Sequence, residues 1–227
     1  MSHTLSVYGQ ALLAYEQGDT NATLDIIDET GSVTSIPVAA FFRRPEDFFP
    51  LERTALQQCR GHILDIGAGA GIHSLWLQQR HHPVTAIDIS PEAVDIMRRA
   101  GVKDARRVDI WTMQAERFDT LLMLGRNIGI AGTLEGVDKL LTHLHQLTSP
   151  GGQLMIVSLP PEKLGDGAGY PGEHRYRERF QGQEGPPFRW LNIDANTLCA
   201  IAHRSGWQTD IVSQQADGHY LARLFTR

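Results

Sequence analysis

Ile63-Leu64-Asp65-Ile66-Gly67-Ala68-Gly69-Ala70-Gly71, running on into Ile72-His73-Ser74-Leu75-Trp76-Leu77, is the stretch from which the rest of the chain is read. Ile63 to Ile66 are an apolar, β-branched run preceded by Gly61, the pattern of a strand buried on both faces of a parallel sheet. None of the next five residues has a side chain larger than a methyl group, so a ligand can come within contact of bare backbone. Ile72, Leu75 and Trp76 recur at helical spacing and predict a helix from about Gly71. Strand, glycine turn and helix form a unit of a doubly wound α/β sheet, with backbone N–H groups aimed at the ligand.

Two nucleotide motifs fail here. The dinucleotide fingerprint G-x-G-x-x-G/A, counted from Gly67, puts Ile72 at its third small position, and the G-K-[ST] of a P-loop is absent. What stands is Asp65-x-Gly67-x-Gly69-x-Gly71. It resembles motif I of the class I S-adenosylmethionine (SAM)-dependent methyltransferases, in which an acidic residue precedes G-x-G-x-G. The competing reading of the residues alone is a tight strand-to-helix turn without a ligand.

Downstream, Pro83 to Asp88 read as a second strand, and Ser90-Pro91-Glu92 supply an N-cap, an N1 proline and a first-turn acid for a helix to about Ala100. Asp88 thus lies at a strand tip beside the glycine turn, seventeen positions after Gly71. A carboxylate there can accept both hydroxyls of a ribose, and its charge disfavours a 2′-phosphate. Ile89 is placed in the same site. Ala105 to Ile110 are expected to be a third strand. In the methyltransferases that the chain resembles, an acid at its end accepts from the adenine amino group while an apolar neighbour stacks on the ring. Asp109 and Ile110 match that pattern. Phe118 to Leu124 fit a fourth strand, followed by Gly125-Arg126-Asn127. Thr133 opens an amphipathic helix, Ser149-Pro150-Gly151-Gly152 stops it, and Leu154 to Leu159 fit a fifth strand. The resemblance spans Gly61 to Leu159. It implies a Rossmann-like seven-stranded sheet of order 3-2-1-4-5-7-6.

The N-terminal part reads as a helix over Leu5 to Tyr15, then a hairpin of Leu24 to Asp28 and Val33 to Phe42 about Glu29-Thr30-Gly31-Ser32. Pro37 marks an edge strand or bulge, and Pro50 opens a short helix. The organisation expected is therefore a helix and hairpin segment, 1–60, packing on a cofactor domain, 61–227. Past the fifth strand, Pro160 to Gly172 are a glycine- and proline-rich loop, read as a mobile lid from which Tyr170 reaches inward. Tyr176 to Phe180 and Phe188 to Ile193 can pair. Asp194 caps a helix, and Trp207 to Ser213 with His219 to Phe225 close the chain as an antiparallel pair.

Composition narrows the function. The chain has 227 residues, 41% apolar and 21% charged, with a net charge of −5 and no Lys/Arg cluster, so a nucleic-acid footprint is missing. No run approaches a membrane span, the first residues lack a signal-peptide pattern, and Cys59 and Cys199 are too few for a disulfide framework. A cytoplasmic setting is expected. The ten histidines show no zinc spacing, so no metal is expected, and G-x-S-x-G is absent.

The reading that gathers these features is a methyltransferase that takes SAM as cofactor and a small molecule as acceptor. Gly67, Ala68, Gly69 and Gly71 cradle the methionine half, Asp65 fixes the turn and can meet the amino group through water, and Leu124 and Gly125 line the path beside the sulfur. Arg43 or Arg44 is placed to reach the methionine carboxylate, where a guanidinium suits. Asn127, His174 and Tyr176 are catalytic candidates by chemistry and position, each also readable as structural. Two alternatives stay open: a SAM-binding regulator without transfer activity, and a nucleoside-cofactor enzyme such as an NAD-dependent oxidoreductase.

Overall fold

The computed structural model describes residues 6–161 and 169–226. Helix α1 (Val7–Glu16) starts at Ser6, whose hydroxyl accepts from the Gly9 N–H at 2.9 Å. Strands β1 (Thr23–Ile27) and β2 (Val33–Pro37) form the expected hairpin, its turn tied by Asp28, which accepts from the Thr30 and Ser32 N–H groups. The second strand stops at Pro37 instead of continuing to Phe42. Val38–Phe42 coil into a 3₁₀ helix that carries Phe41 onto Tyr8 and Phe42 onto Tyr15, with ring centroids 5.4 and 4.7 Å apart. Packing on α1 thus overrides the β propensity of this run.

After α2 (Pro50–Gln57), the sheet begins with β3 (Ile63–Ile66), α3 (Ile72–Gln79), β4 (Val84–Asp88), α4 (Pro91–Ala100), β5 (Ala105–Arg107), β6 (Phe118–Met123) and α5 (Leu134–Gln146). The chain continues with β7 (Thr148–Ser158), β8 (Glu173–Phe180), β9 (Gln183–Glu184), β10 (Phe188–Leu191), α6 (Ala195–Arg204), β11 (Gln208–Gln214) and β12 (Tyr220–Phe225). The seven-stranded sheet runs β11-β12-β7-β6-β3-β4-β5, which is the order 3-2-1-4-5-7-6, with β12 antiparallel to both β7 and the edge strand β11. The N-caps Ser90, Thr133 and Asp194 all bond to a backbone N–H three residues on. The third strand is shorter than its sequence suggests. It ends at Arg107, and Asp109 caps a 3₁₀ turn over Ile110–Thr112.

Alternation on the central strands feeds two cores. Leu64, Ile66, Leu121 and Met123 face α5 and α6, while Ile63, Leu122 and Leu124 face α2 and α3. The second, smaller sheet had no signal in the sequence as a whole unit. Its order is β10-β8-β1-β2, with β9 on β8, so the N-terminal hairpin pairs with strands that arrive about 150 residues later. Asp25 on β1 holds Arg179 on β8 at 3.0 Å across this seam. Pro37 sits at the end of the edge strand, where its missing N–H costs no ladder bond. Residues 162–168 of the lid expected over Pro160–Gly172 lie outside the described residues.

A buried ion pair within the N-terminal segment reaches the cofactor side through His73, whose Nε2 lies 3.7 Å from Glu52. Arg43 donates to both Glu52 oxygens at 2.7 and 2.8 Å, and Glu52 also accepts the Phe49 N–H at 2.9 Å. Burial alone would raise the Glu52 carboxyl, but His73, the Phe49 N–H and Arg43 together hold it below the usual range. Glu52→Ala leaves a guanidinium uncompensated and should lower the unfolding free energy by about 3–5 kcal/mol in urea titrations. The stability that Glu52 contributes is present above the ordinary glutamate pKa and is lost as pH falls through its lowered folded value.

Candidate active site

Gly67, Gly69 and Gly71 have φ of 69°, 58° and 80°, a left-handed step at every second residue that a Cβ would strain. They differ in what lies opposite. A Cβ on Gly67 would come 2.6 Å from the Asn127 amide nitrogen, and one on Gly71 would come 2.8 Å from Met97 of α4. On Gly69 it would meet the Tyr8 hydroxyl at 2.9 Å. All three glycines therefore admit neighbouring side chains, and at Gly69 the neighbour is the hydroxyl end of Tyr8 from α1.

Asp88 ends β4 beside this turn. Its Oδ2 accepts the Gly69 N–H at 3.0 Å and its Oδ1 accepts the Ser90 N–H at 2.9 Å. Burial pushes its carboxyl above the usual aspartate range, against the N–H groups of Ser90, Gly69 and Ile89, and the charge of Asp65 adds to the rise. Each oxygen keeps acceptor capacity for a hydroxyl. Asp65 is fully enclosed, accepts from the Ser74 hydroxyl at 2.6 Å, and is likewise raised by burial, with His73 and Ser74 opposing. Ala68, between the first two glycines, bonds through its N–H to the Ile87 carbonyl at 3.0 Å.

The third-strand tip departs from the expected layout. Asp109 is there, accepting the Trp111 N–H at 3.0 Å, but Ile110 is turned into the main core with its carbonyl 2.8 Å from His143 Nε2. The apolar surfaces open beside Asp88 and Asp109 are Ile89 and Trp111, 68% and 40% exposed. At the fourth-strand tip Leu124 is buried and Gly125 turns at φ 63°. Asn127 donates to the carbonyls of Ile66 and Gly67 at 2.8 and 2.9 Å, so its amide laces β6 to the glycine turn.

Of the arginine pair, Arg44 is in solvent and Arg43 is turned in on Glu52. Arg43 Nε and His73 Nε2 are both buried without a hydrogen-bond partner among the described residues, and His73 Nε2 lies 3.7 Å from the Glu52 carboxylate. His73 lies in the first turn of α3, directly after the glycine turn, where helix N–H groups also favour an anion. His174 and Tyr176 are placed on β8, their rings stacked at 5.4 Å, rather than on the strand tips. Tyr170 does not reach inward. Its hydroxyl donates to Asp194 at 2.7 Å at the start of α6, and burial pushes it up to about 12.

Two residues were not singled out from sequence. Tyr8 lay inside the apolar repeat of α1 and Glu178 inside a charged run. Glu178 lies close to Tyr8, and the Tyr8 hydroxyl is raised by burial and by the charges of Asp88 and Glu178, so it stays a neutral donor over Gly69. A cleft of about 440 Å³ lined by His62, His81, His82 and Asp104 opens at the opposite, amino ends of the strands and does not meet this site. The strand-tip residues fit a nucleoside joined to an amino acid: a side-chain-free turn, an acid for hydroxyls, an apolar platform, and buried donors beside a helix start.

Comparison with known proteins agrees. Residues 63–152 match the family model for a methyltransferase domain. A SAM-dependent methyltransferase from Bacteroides fragilis, solved with S-adenosylhomocysteine, is 35% identical, with a TM-score of 0.89 over 98% of this chain and 95% of its own. The chain belongs to the SAM-dependent methyltransferases, and its cofactor is SAM. An amino pentose methyltransferase from Micromonospora echinaspora is 19% identical, with a TM-score of 0.55 over 78% of this chain and 87% of its own. The 1,6-didemethyltoxoflavin-N1-methyltransferase from Burkholderia thailandensis is 20% identical, with a TM-score of 0.53 over 78% and 76%. Both share the fold alone. No curated protein matches the chain.

Two outcomes follow for SAM binding by isothermal titration. Gly69→Val, folded by circular dichroism, should lose SAM, because a branched side chain fills the space under Tyr8. Asp88→Ala should bind at least about tenfold more weakly, since each charge-assisted bond is worth about 1.5–3 kcal/mol. Asp88→Asn, which keeps an acceptor, should lose less.

Proposed function

We propose that the enzyme methylates a small-molecule acceptor in a chamber roofed by the small sheet. The carrying observation is the roof itself. Its β10 end rests on the segment after the fourth-strand tip, where Trp190 packs on Gly129. Its β8 end meets α1, which holds Tyr8 over Gly69. A space bounded in this way suits a small acceptor better than a polymer, and no basic surface argues for nucleic acid. The described helices include none long and apolar enough to cross a membrane. The Micromonospora and Burkholderia enzymes act on an amino pentose and on 1,6-didemethyltoxoflavin, which supports the same class of acceptor.

In this reading residues 61–227 are the cofactor domain and 1–60 the cover. Gly67, Ala68, Gly69 and Gly71 give the methionine half its bare backbone, with Asp65 behind the turn. Arg43 Nε and His73 Nε2 answer the carboxylate. Asp88 takes the ribose hydroxyls, Ile89 and Trp111 flank the base, Asp109 meets its amino edge, and Ile110 supports the tip from within the core. Leu124 and Gly125 line the passage to the acceptor. Bound SAM supplies an electrophilic methyl carbon on a sulfonium. The chain's own contribution is position and exclusion of water.

Incubation with methyl-labelled SAM and either an ultrafiltered metabolite extract or the retained polymers tests this. Label is expected in the low-molecular-weight fraction. Label confined to protein or nucleic acid would overturn the small-molecule reading.

A further inference from the structure

Building on that methyltransferase reading, we propose that the acceptor is a flat molecule carrying an amino nitrogen, held against the aromatic inner face of the small sheet, with Glu178 as the partner of its amino group. The argument begins with alternation on β8. His174, Tyr176, Glu178 and Phe180 are partly or fully covered and share one face, while Arg175 and Arg177 are exposed on the other. The register carries this pattern across the sheet. Tyr176 opposes Phe188 and His174 opposes Trp190 on β10, and Glu178 opposes Ile26 on β1.

The rings make one strip. Centroids are 5.4 Å apart for His174 and Tyr176, 6.2 Å for Tyr176 and Phe188, and 6.3 Å for Phe188 and Trp190. The strip joins two landmarks of the site. A Cβ on Gly129, four residues past Gly125, would fall 2.3 Å from the Trp190 indole. At the other end Glu178 lies close to Tyr8, whose hydroxyl stands 2.9 Å from where a Cβ on Gly69 would fall. A planar group under the strip is therefore bounded on one side by the tip where Leu124 and Gly125 lie and on the other by the glycine turn.

Charge selects among planar ligands. The arginines of these strands are turned away: Arg179 to Asp25, Arg177 to Glu184, and Arg189 exposed. Glu178 is the carboxylate that β8 itself puts on this face, and at the far end of the strip the Glu29 carboxylate lies 3.8 Å from His174 Nδ1. An aromatic face edged by carboxylates attracts ammonium or neutral amine and repels a carboxylate. Burial raises the Glu178 carboxyl, against the Tyr8 N–H, which suits it to receive a proton. An acceptor ammonium passes one N–H proton to a Glu178 oxygen, and the pair of electrons of that N–H bond stays on nitrogen as the lone pair that attack requires.

The test uses the whole chain saturated with S-adenosylhomocysteine, whose own titration comes first. Tryptamine and benzylamine are then titrated against indole-3-acetate and benzoate, which carry the same rings with a carboxylate, by calorimetry or saturation-transfer NMR. Amines should bind at least about tenfold more tightly than their carboxylate counterparts. Glu178→Gln should erase that preference with S-adenosylhomocysteine affinity held within about twofold, and Glu178→Asp should restore part of it. Trp190→Leu should weaken both amines. Carboxylates binding as well as amines, no amine binding to the loaded protein, or a preference that survives Glu178→Gln would overturn the proposal. Failure of S-adenosylhomocysteine itself to bind would strike the cofactor reading, and this proposal with it.

Discussion

Three alternate residues at positive φ between β3 and α3 constrain everything around them. The chain must reverse from strand to helix within five residues, and the N–H groups of Gly67, Ala68, Gly69 and Gly71 are spent on Ile87, Asp88 and Ala68 in doing so. Only glycine does this without strain, and the missing side chains then become docking space. Asn127 reaches the Ile66 and Gly67 carbonyls because Gly67 has no Cβ, and Met97 closes on the turn because Gly71 has none. Tyr8 comes down over Gly69 for the same reason. One local backbone requirement thus orders the fourth-strand tip, α4 and the N-terminal helix about a single point.

The cover is held by contacts of a different kind. Helix α1 sits on α4 where Gly9 meets Glu92, close enough that a Cβ would fall 2.1 Å from Glu92 Oε2. Glu92 is braced by the Ser90 hydroxyl at 2.6 Å, so the docking surface is itself fixed by the N-cap of α4. The hairpin after α1 then adds to β8, and main-chain pairing ties the N-terminal segment to the inserted strands. Asp65, Asp88 and Glu178 all have carboxyls raised by burial.

Much of this was legible along the chain. The parallel strands read clearly because burial on both faces makes them apolar throughout, and Ser90, Thr133 and Asp194 each formed the cap that their side chains allow. The acid and glycines of Asp65 to Gly71, through their likeness to one family's motif, imply the sheet order that the strands adopt. Boundaries were less secure where tertiary packing competed with propensity. Val38 to Phe42 left the strand to bring two phenylalanines onto α1, and Ile110 left the open edge for the core.

What the sequence determined by itself was local: which segments turn, which are buried on both faces, and where a ligand can touch backbone. Those properties depend on neighbours within a few residues, and φ, capping and alternation record them. What only the tertiary structure decided was partnership. Period-two alternation tells that Glu178 and Tyr176 share a face, but not that β8 pairs with β1. The same holds for Tyr8, whose place in a helical apolar repeat looks like that of any core residue until α1 is laid across Gly69. Strand pairing over about 150 residues is chosen by the summed fit of two surfaces, and no short stretch of either carries that information.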